Sequence, residues 1–178
     1  MALPVQLAFR MADDHAQLLE EQIPALRRYA FALVRDHEAA DDLVQDCLER
    51  ALSRWYLRHP EGDLRAWLFT ILRNLHVSAY RTRKRRDIWT TIDEAQSSIE
   101  PEQEAGLQTH DVLAAIDQLP EEQKSLLLLI SVEDLSYEQA ARVLAIPIGT
   151  VMSRLFRARQ RLRTVMEDGH TPVLRRVK

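Results

Sequence analysis

Apolar residues return every three to four positions through most of the chain. That is the period of an amphipathic helix, not the alternation of a strand. Ile23, Leu26, Ala30, Leu33 and Val34 form the first such stripe. Asp36 then stands where a helix N-cap belongs, with Glu38 in the turn after it, so a second helix is expected to start there. A third is expected over about 63–83, where Leu64, Trp67, Leu68, Ile71, Leu72 and Leu75 share one face. Trp67 and Phe69 read as core packing. Between the second and third helices, RWYLRHPEGD reads as a loop, marked by His59-Pro60 and Gly62. The second half predicts helices over about 109–118, 121–132, 137–145 and 149–166. Pro120 suits a helix start, and Glu121 and Glu122 suit the positive end of its dipole. Ser136 followed by Gln139 reads as a capping box.

These elements imply an all-α protein of two small helical domains, over 15–86 and 107–167. The stretch 87–106 between them is acidic and contains Ser97, Ser98, Pro101 and Gly106, so a flexible linker is expected. The tail, 168–178, has Gly169 and Pro172 and is expected to fray. Composition agrees with this picture: 46% of residues are hydrophobic, enough for a core, and only four are glycine. With one cysteine, Cys47, no internal disulfide can form, and a reducing, cytoplasmic setting is expected. The opening MALPVQLAF lacks a basic lead and is not read as a signal peptide. The apolar run Leu126–Ile130 is far too short to span a bilayer, so no membrane insertion is expected.

Charge changes the picture more than composition does. The net charge is −3, yet the charges are sorted along the chain. Arg73, Arg81, Arg83, Lys84, Arg85 and Arg86 fall in a stretch without acids. An acidic block follows, from Asp87 to Glu104, without a base. Residues 142–163 again carry six arginines and no acid. Two basic blocks separated by an acidic one suggest a polyanion touched at two places.

The second basic block has a geometry. On a helical projection, Val151, Leu155, Ala158, Leu162 and Val165 fall together, facing a core. Thr150, Ser153, Arg154, Arg157 and Arg161 are expected on the opposite side. SYEQAARVLA reads as a short capped helix, IPIG as a tight break, and the arginine helix follows. Helix, short turn, helix is the arrangement that sends its second helix into the DNA major groove. Thr150, Ser153, Arg154 and Arg157 would approach base edges, and Arg161 a phosphate. A solvated surface helix would normally mix charge signs to gain i,i+4 pairs, and this one does not.

Here the chain resembles a known family. LPEEQKSLLLLISVEDLSYEQAARVLAIPIGTVMSRLFRARQRLR is similar to the promoter-binding C-terminal domain of the extracytoplasmic-function sigma factors, in the sigma-70 family. LRRYAFALVRDHEAADDLVQDCLERAL and DLRAWLFTILRNLHVSAYRTRKRR resemble that family's N-terminal half. The resemblance implies a transcription initiation factor without catalytic residues, metal or cofactor. Its implied partners are the core of bacterial RNA polymerase (the β′ clamp helices and the β flap), promoter DNA and an anti-sigma factor. Asp41, Asp42, Gln45, Asp46 and Glu49 would bind polymerase. The third helix and the loop before it would recognise and melt the minus-ten element. There Asn74 matches the position near a flipped base, Arg58 and His59 belong to the pocket loop, and Arg73, Tyr80, Arg81, Arg83 and Lys84 lie along the DNA. Met152, Ser153, Phe156 and Arg157 fall where family members contact the minus-thirty-five element. Met152 departs from the frequent arginine there, and a thioether suits a thymine methyl better than guanine. The acidic linker would occupy the RNA path and be displaced as transcription proceeds.

Other readings compete. DDLVQD resembles the aspartate-rich Mg²⁺ site of helical prenyl synthases, but no second acidic cluster faces it in a predicted helix. The six histidines show no ligand spacing. A stand-alone helix-turn-helix regulator would explain the C-terminal module and leave the acidic helix and first basic block idle. A non-specific nucleic-acid adaptor would use both basic blocks without sequence preference.

Overall fold

In the computed structural model the described residues are 15–59, 61–89 and 107–169. They contain helices and connecting turns and no strand. The helices are α1 (15–20), α2 (Ile23–Val34), α3 (His37–Ser53), α4 (Leu64–Trp89), α5 (Leu107–Asp117), α6 (Glu121–Ser131), α7 (Tyr137–Leu144) and α8 (Ile148–Gly169). A single 3₁₀ turn, Trp55–Leu57, follows α3. They fall into two compact units, α1–α4 and α5–α8. The expected linker beyond Trp89 and the tail beyond Gly169 lie outside the described residues. Among the described residues, no helix is long and apolar enough to cross a membrane.

In the first unit α3 packs on both α2 and α4. Arg35 ends α2 in the left-handed region at φ 60°, its N–H bonded to the Phe31 carbonyl. The chain turns at once into α3, where Asp36 accepts a hydrogen bond from the Ala39 N–H at 2.7 Å. Such a cap contributes about 1 kcal/mol. Ala40, Leu43, Val44, Cys47 and Ala51 bury one face of α3. They meet Leu26, Tyr29 and Leu33 of α2 and Leu68, Phe69 and Leu72 of α4 in one core. Tyr29 and Phe69 pack edge to face at 5.2 Å. Phe69 is fully buried and Trp67 half-buried, both within packing contacts.

α4 runs to Trp89, past the expected end near residue 83. The run RTRKRRD contains no helix breaker, and its cations suit the negative C-terminal end of the helix dipole.

Cys47 illustrates how closed this core is. Its Sγ donates to the Leu68 carbonyl at 3.5 Å, and burial pushes its pKa up to about 12. The native thiol will therefore resist iodoacetamide at pH 8.5, and denaturant will expose it; ready alkylation of folded protein would contradict this core. The unfolded thiol ionises at about pH 8.5. Stability will thus be lost as pH rises from there toward about 12, because only the unfolded state releases the proton.

In the second unit α6 is central. Leu126, Leu127, Leu128 and Leu129 are consecutive and all buried, which needs neighbours around the whole helix circumference. α7 and α8 supply them, and α5 packs on α8. Lys124 reaches Asp117 at 2.7 Å, joining α6 to the end of α5.

Candidate functional site

The helix-turn-helix is built from local signals. Ser136 accepts from the Gln139 N–H at 3.2 Å, and the Gln139 side chain accepts from the Ser136 N–H at 2.7 Å. This reciprocal box starts α7. Ala145 ends it at φ 53°, and the Ile146 N–H bonds back to the Ala141 carbonyl at 3.1 Å. Pro147 then opens α8, accepting from the Thr150 and Val151 N–H groups. The turn between α7 and α8 is thus three residues, Ala145–Pro147.

α8 is anchored by Val151, Leu155 and Ala158, all buried. The outward face is centred on Ser153, Phe156, Arg157 and Gln160, all exposed. Phe156 is 63% exposed, and Met152, one turn before it, is 50% exposed. The Ser153 hydroxyl donates to the Thr150 carbonyl at 3.1 Å, and Arg157 Nε donates to the Ser153 carbonyl at 3.3 Å. Arg161 is also exposed.

This placement corrects the projection at two residues. Arg154 lies one turn before buried Ala158, at the edge of the core and not opposite it. Its guanidinium pairs with Glu122 of α6 at 2.8 Å, so the absence of acids within α8 does not leave every arginine unmatched. Thr150 is half-buried. The arc of α8 that stays outward depends on which neighbours cover it, and sequence spacing does not say where those neighbours sit. Gln160 was not singled out by the sequence reading; its position two turns beyond Ser153 is the signal available.

α3 presents a carboxylate face in the first unit. Asp41, Asp42, Gln45, Asp46 and Glu49 are all exposed, on the side away from the buried stripe. The Gln45 amide donates to Glu49 at 3.0 Å. Asp41 differs from the rest. Arg27 of α2 grips it through Nε at 2.7 Å and Nη2 at 2.6 Å. These hydrogen bonds, with help from the Arg27 charge, outweigh the opposing desolvation and hold the Asp41 carboxyl below the ordinary aspartate range. Exposed burial-free pairs of this kind contribute little stability, yet this one orders a charged surface.

The loop before α4 is braced from inside. The Arg58 guanidinium lies over the Trp55 ring at 4.9 Å, and its Nη1 donates to the Gly62 carbonyl at 3.5 Å. Trp55 contacts Trp67 edge-on and His15 at 4.3 Å. The Gly62 N–H bonds the His59 carbonyl at 2.9 Å, and a Cβ on Gly62 would stand 3.0 Å from that oxygen. Glycine is therefore the residue that lets the loop close this tightly. Asp63 caps α4, accepting from the Ala66 N–H at 3.0 Å. His59 is exposed, and Tyr56 and Leu57 project outward at 81% and 64% exposure.

On α4, Asn74 and Arg81 are exposed and lie opposite the Leu68–Leu72 core stripe. Arg73, Tyr80 and Lys84 fall at positions flanking them, whereas Arg83, although exposed, falls on the same helical face as the Leu68–Leu72 stripe, away from Asn74 and Arg81. Tyr80 stacks against His76 at 6.5 Å.

Comparison with known proteins agrees with this architecture. A family model described as the Sigma2 domain of PhyR matches residues 19–73, and one described as Sigma-70, region 4 matches residues 109–162. Over 150 residues the chain is 39% identical to the ECF RNA polymerase sigma factor EcfG of Rhodopseudomonas palustris, covering 81% of this chain and 80% of that protein. It is 34% identical over 160 residues to the ECF RNA polymerase sigma factor SigL of Mycobacterium tuberculosis, covering 85% and 88%. The sigma factor RpoE of Bartonella quintana, solved with the anti-sigma factor NepR, aligns with a TM-score of 0.76 at 37% identity. That alignment covers 86% of this chain and 97% of the RpoE chain.

Proposed function

The chain belongs to the extracytoplasmic-function RNA polymerase sigma factors, and from that premise we propose a division of labour between its two helical units. The first unit binds core polymerase through the α3 carboxylates. It opens the minus-ten element with α4 and the loop that precedes it. The second unit reads the minus-thirty-five element through the outward face of α8. The observation that carries this reading is the pairing of opposite surfaces in one chain. An exposed acidic helix face belongs to one unit, and an exposed Ser153–Arg157 face on the second helix of a helix-turn-helix belongs to the other.

Each part matches a physical need. Strand opening requires a base to leave its stack, at a cost of a few kcal/mol that a protein pocket must offset. We assign that role to the Gly62-closed loop and Asn74, with the exposed arginines of α4 along the phosphates. Sequence reading requires side chains at base edges, and Arg157 can pair with guanine while Met152 and Phe156 suit thymine methyls. No step is catalytic; the chemistry belongs to the polymerase. The setting is therefore the bacterial cytoplasm, where polymerase and promoter are found. The RpoE relative was solved with an anti-sigma factor, and we extend that mode of control to this chain.

Run-off transcription tests the reading. Core polymerase alone will ignore the cognate promoter, and adding this chain will yield a defined transcript. Scrambling the minus-thirty-five element will abolish most of that transcript. Tight promoter binding by the free chain, with no effect on core polymerase, would instead identify a stand-alone helix-turn-helix regulator.

A further inference from the structure

Among the arginines of α8, Arg154 already has its charge matched. Its Nη1 lies 2.8 Å from Oε2 of Glu122, the second residue of α6. The Arg154 side chain is 26% exposed and that of Glu122 63%. Glu122 is well placed for this role. It sits in the first turn of α6, where the helix dipole favours a carboxylate, and it stays wet enough to avoid a large desolvation cost. Arg154 in turn is rooted beside the buried Ala158 stripe, so its stem runs along the core edge toward α6.

An arginine left unmatched at that edge would hang beside the DNA-reading face. Arginine grips any phosphate, and phosphate contacts raise affinity for every sequence alike. Suppressing such contacts raises selectivity without adding any specific one.

We propose that Glu122 and Arg154 form a positioning pair for promoter recognition. Glu122 holds the Arg154 guanidinium against α6 and off the DNA, fixes α8 relative to α6, and leaves reading to Ser153 and Arg157 with Met152 and Phe156. The inference rests on the reading of α8 as the minus-thirty-five helix. It assigns Arg154 a structural charge, not a base or phosphate contact.

The test uses the full chain assembled with core polymerase. Its affinity is measured across a salt series for a promoter duplex and for the same duplex with a scrambled minus-thirty-five element. Glu122→Ala changes an exposed helical position and releases Arg154. It is expected to steepen the salt slope by roughly one and to narrow promoter discrimination about tenfold. Adding Arg154→Met to that variant removes the gained slope. Arg154→Met alone, which keeps most of the stem, leaves the wild-type slope unchanged. The proposal is overturned if Arg154→Met alone flattens the slope by about one, since Arg154 then contacts phosphate. It is equally overturned if Glu122→Ala moves neither slope nor discrimination, a result that does not depend on Arg154→Met folding. Wild-type holoenzyme without preference for the promoter over the scrambled duplex sinks the reading of α8 and this pair with it. Failure confined to the variants sinks the pair alone.

Discussion

Replacing Asp42 and Asp46 together with lysine will lower the affinity of this sigma factor for core polymerase about 100-fold or more, because like charges then meet across the contact. Both residues are exposed on α3, and the buried stripe of that helix lies on its other side. The unfolding temperature should therefore move by only a few degrees, since surface changes of this kind usually stay within about 0.5 kcal/mol. Asp41→Ala will act differently. Its carboxylate is already committed to Arg27, so polymerase gains less from it and its loss frees a guanidinium on α2. We expect a smaller drop in polymerase affinity for Asp41→Ala than for either Asp42→Ala or Asp46→Ala. Competition between labelled wild type and each variant for core enzyme measures all of them. Wild-type affinity in the double-lysine variant would remove α3 from the polymerase contact and, with it, the division of labour between the units.

The start of α3 was legible in the sequence because one local rule decides it: Asp36 caps the helix and Glu38 sits in its first turn. The role given to its carboxylates came from the family resemblance. The Ser136–Gln139 box and the break before Pro147 were legible for the same reason. Their partners lie within a few residues of one another. The side of α8 on which Arg154 lies was not legible because its partner lies 32 positions earlier in the chain, at Glu122, and no spacing rule links two helices across that interval. The inside of the loop before α4 was hidden likewise. The family resemblance assigns Arg58 to the pocket loop without saying what it touches, and the structure lays it over Trp55 and ties it to Gly62. An arginine near a DNA-binding loop carries two possible meanings, and only the neighbours brought in by folding choose between them. The same holds for α6. The run Leu126–Leu129 signals a helix buried all round only once α7 and α8 are placed against it.

The pair that fixes α6 to α5 gives the largest expected loss of stability. Lys124 Nζ meets Asp117 Oδ1 at 2.7 Å, with the lysine side chain 8% exposed and the aspartate 31%. Each residue sits at the helix end that its charge disfavours: the acid at the C-terminus of α5 and the base in the first turns of α6. The two charges therefore depend on each other. Asp117→Ala takes a carboxylate partner from a buried ammonium, and breaking such a pair from one side costs about 3 kcal/mol, toward the lower end because the aspartate is partly wet. A unit of this size has roughly 3–9 kcal/mol in all. The variant's second unit should then melt about 10–20 °C earlier. Asp117→Leu combined with Lys124→Met should recover most of that loss, since removing both charges removes the need for either. The functional signature follows from the fold. With α6 loosened, α8 loses its platform, and transcription will fall at promoters that depend on the minus-thirty-five element. The contact to core polymerase proposed for Asp42 and Asp46 belongs to the other unit and should persist. Differential scanning calorimetry beside a polymerase-binding assay separates the two effects. An unchanged melting profile in Asp117→Ala would mean that the lysine finds another carboxylate and that this pair does not hold α5 and α6 together.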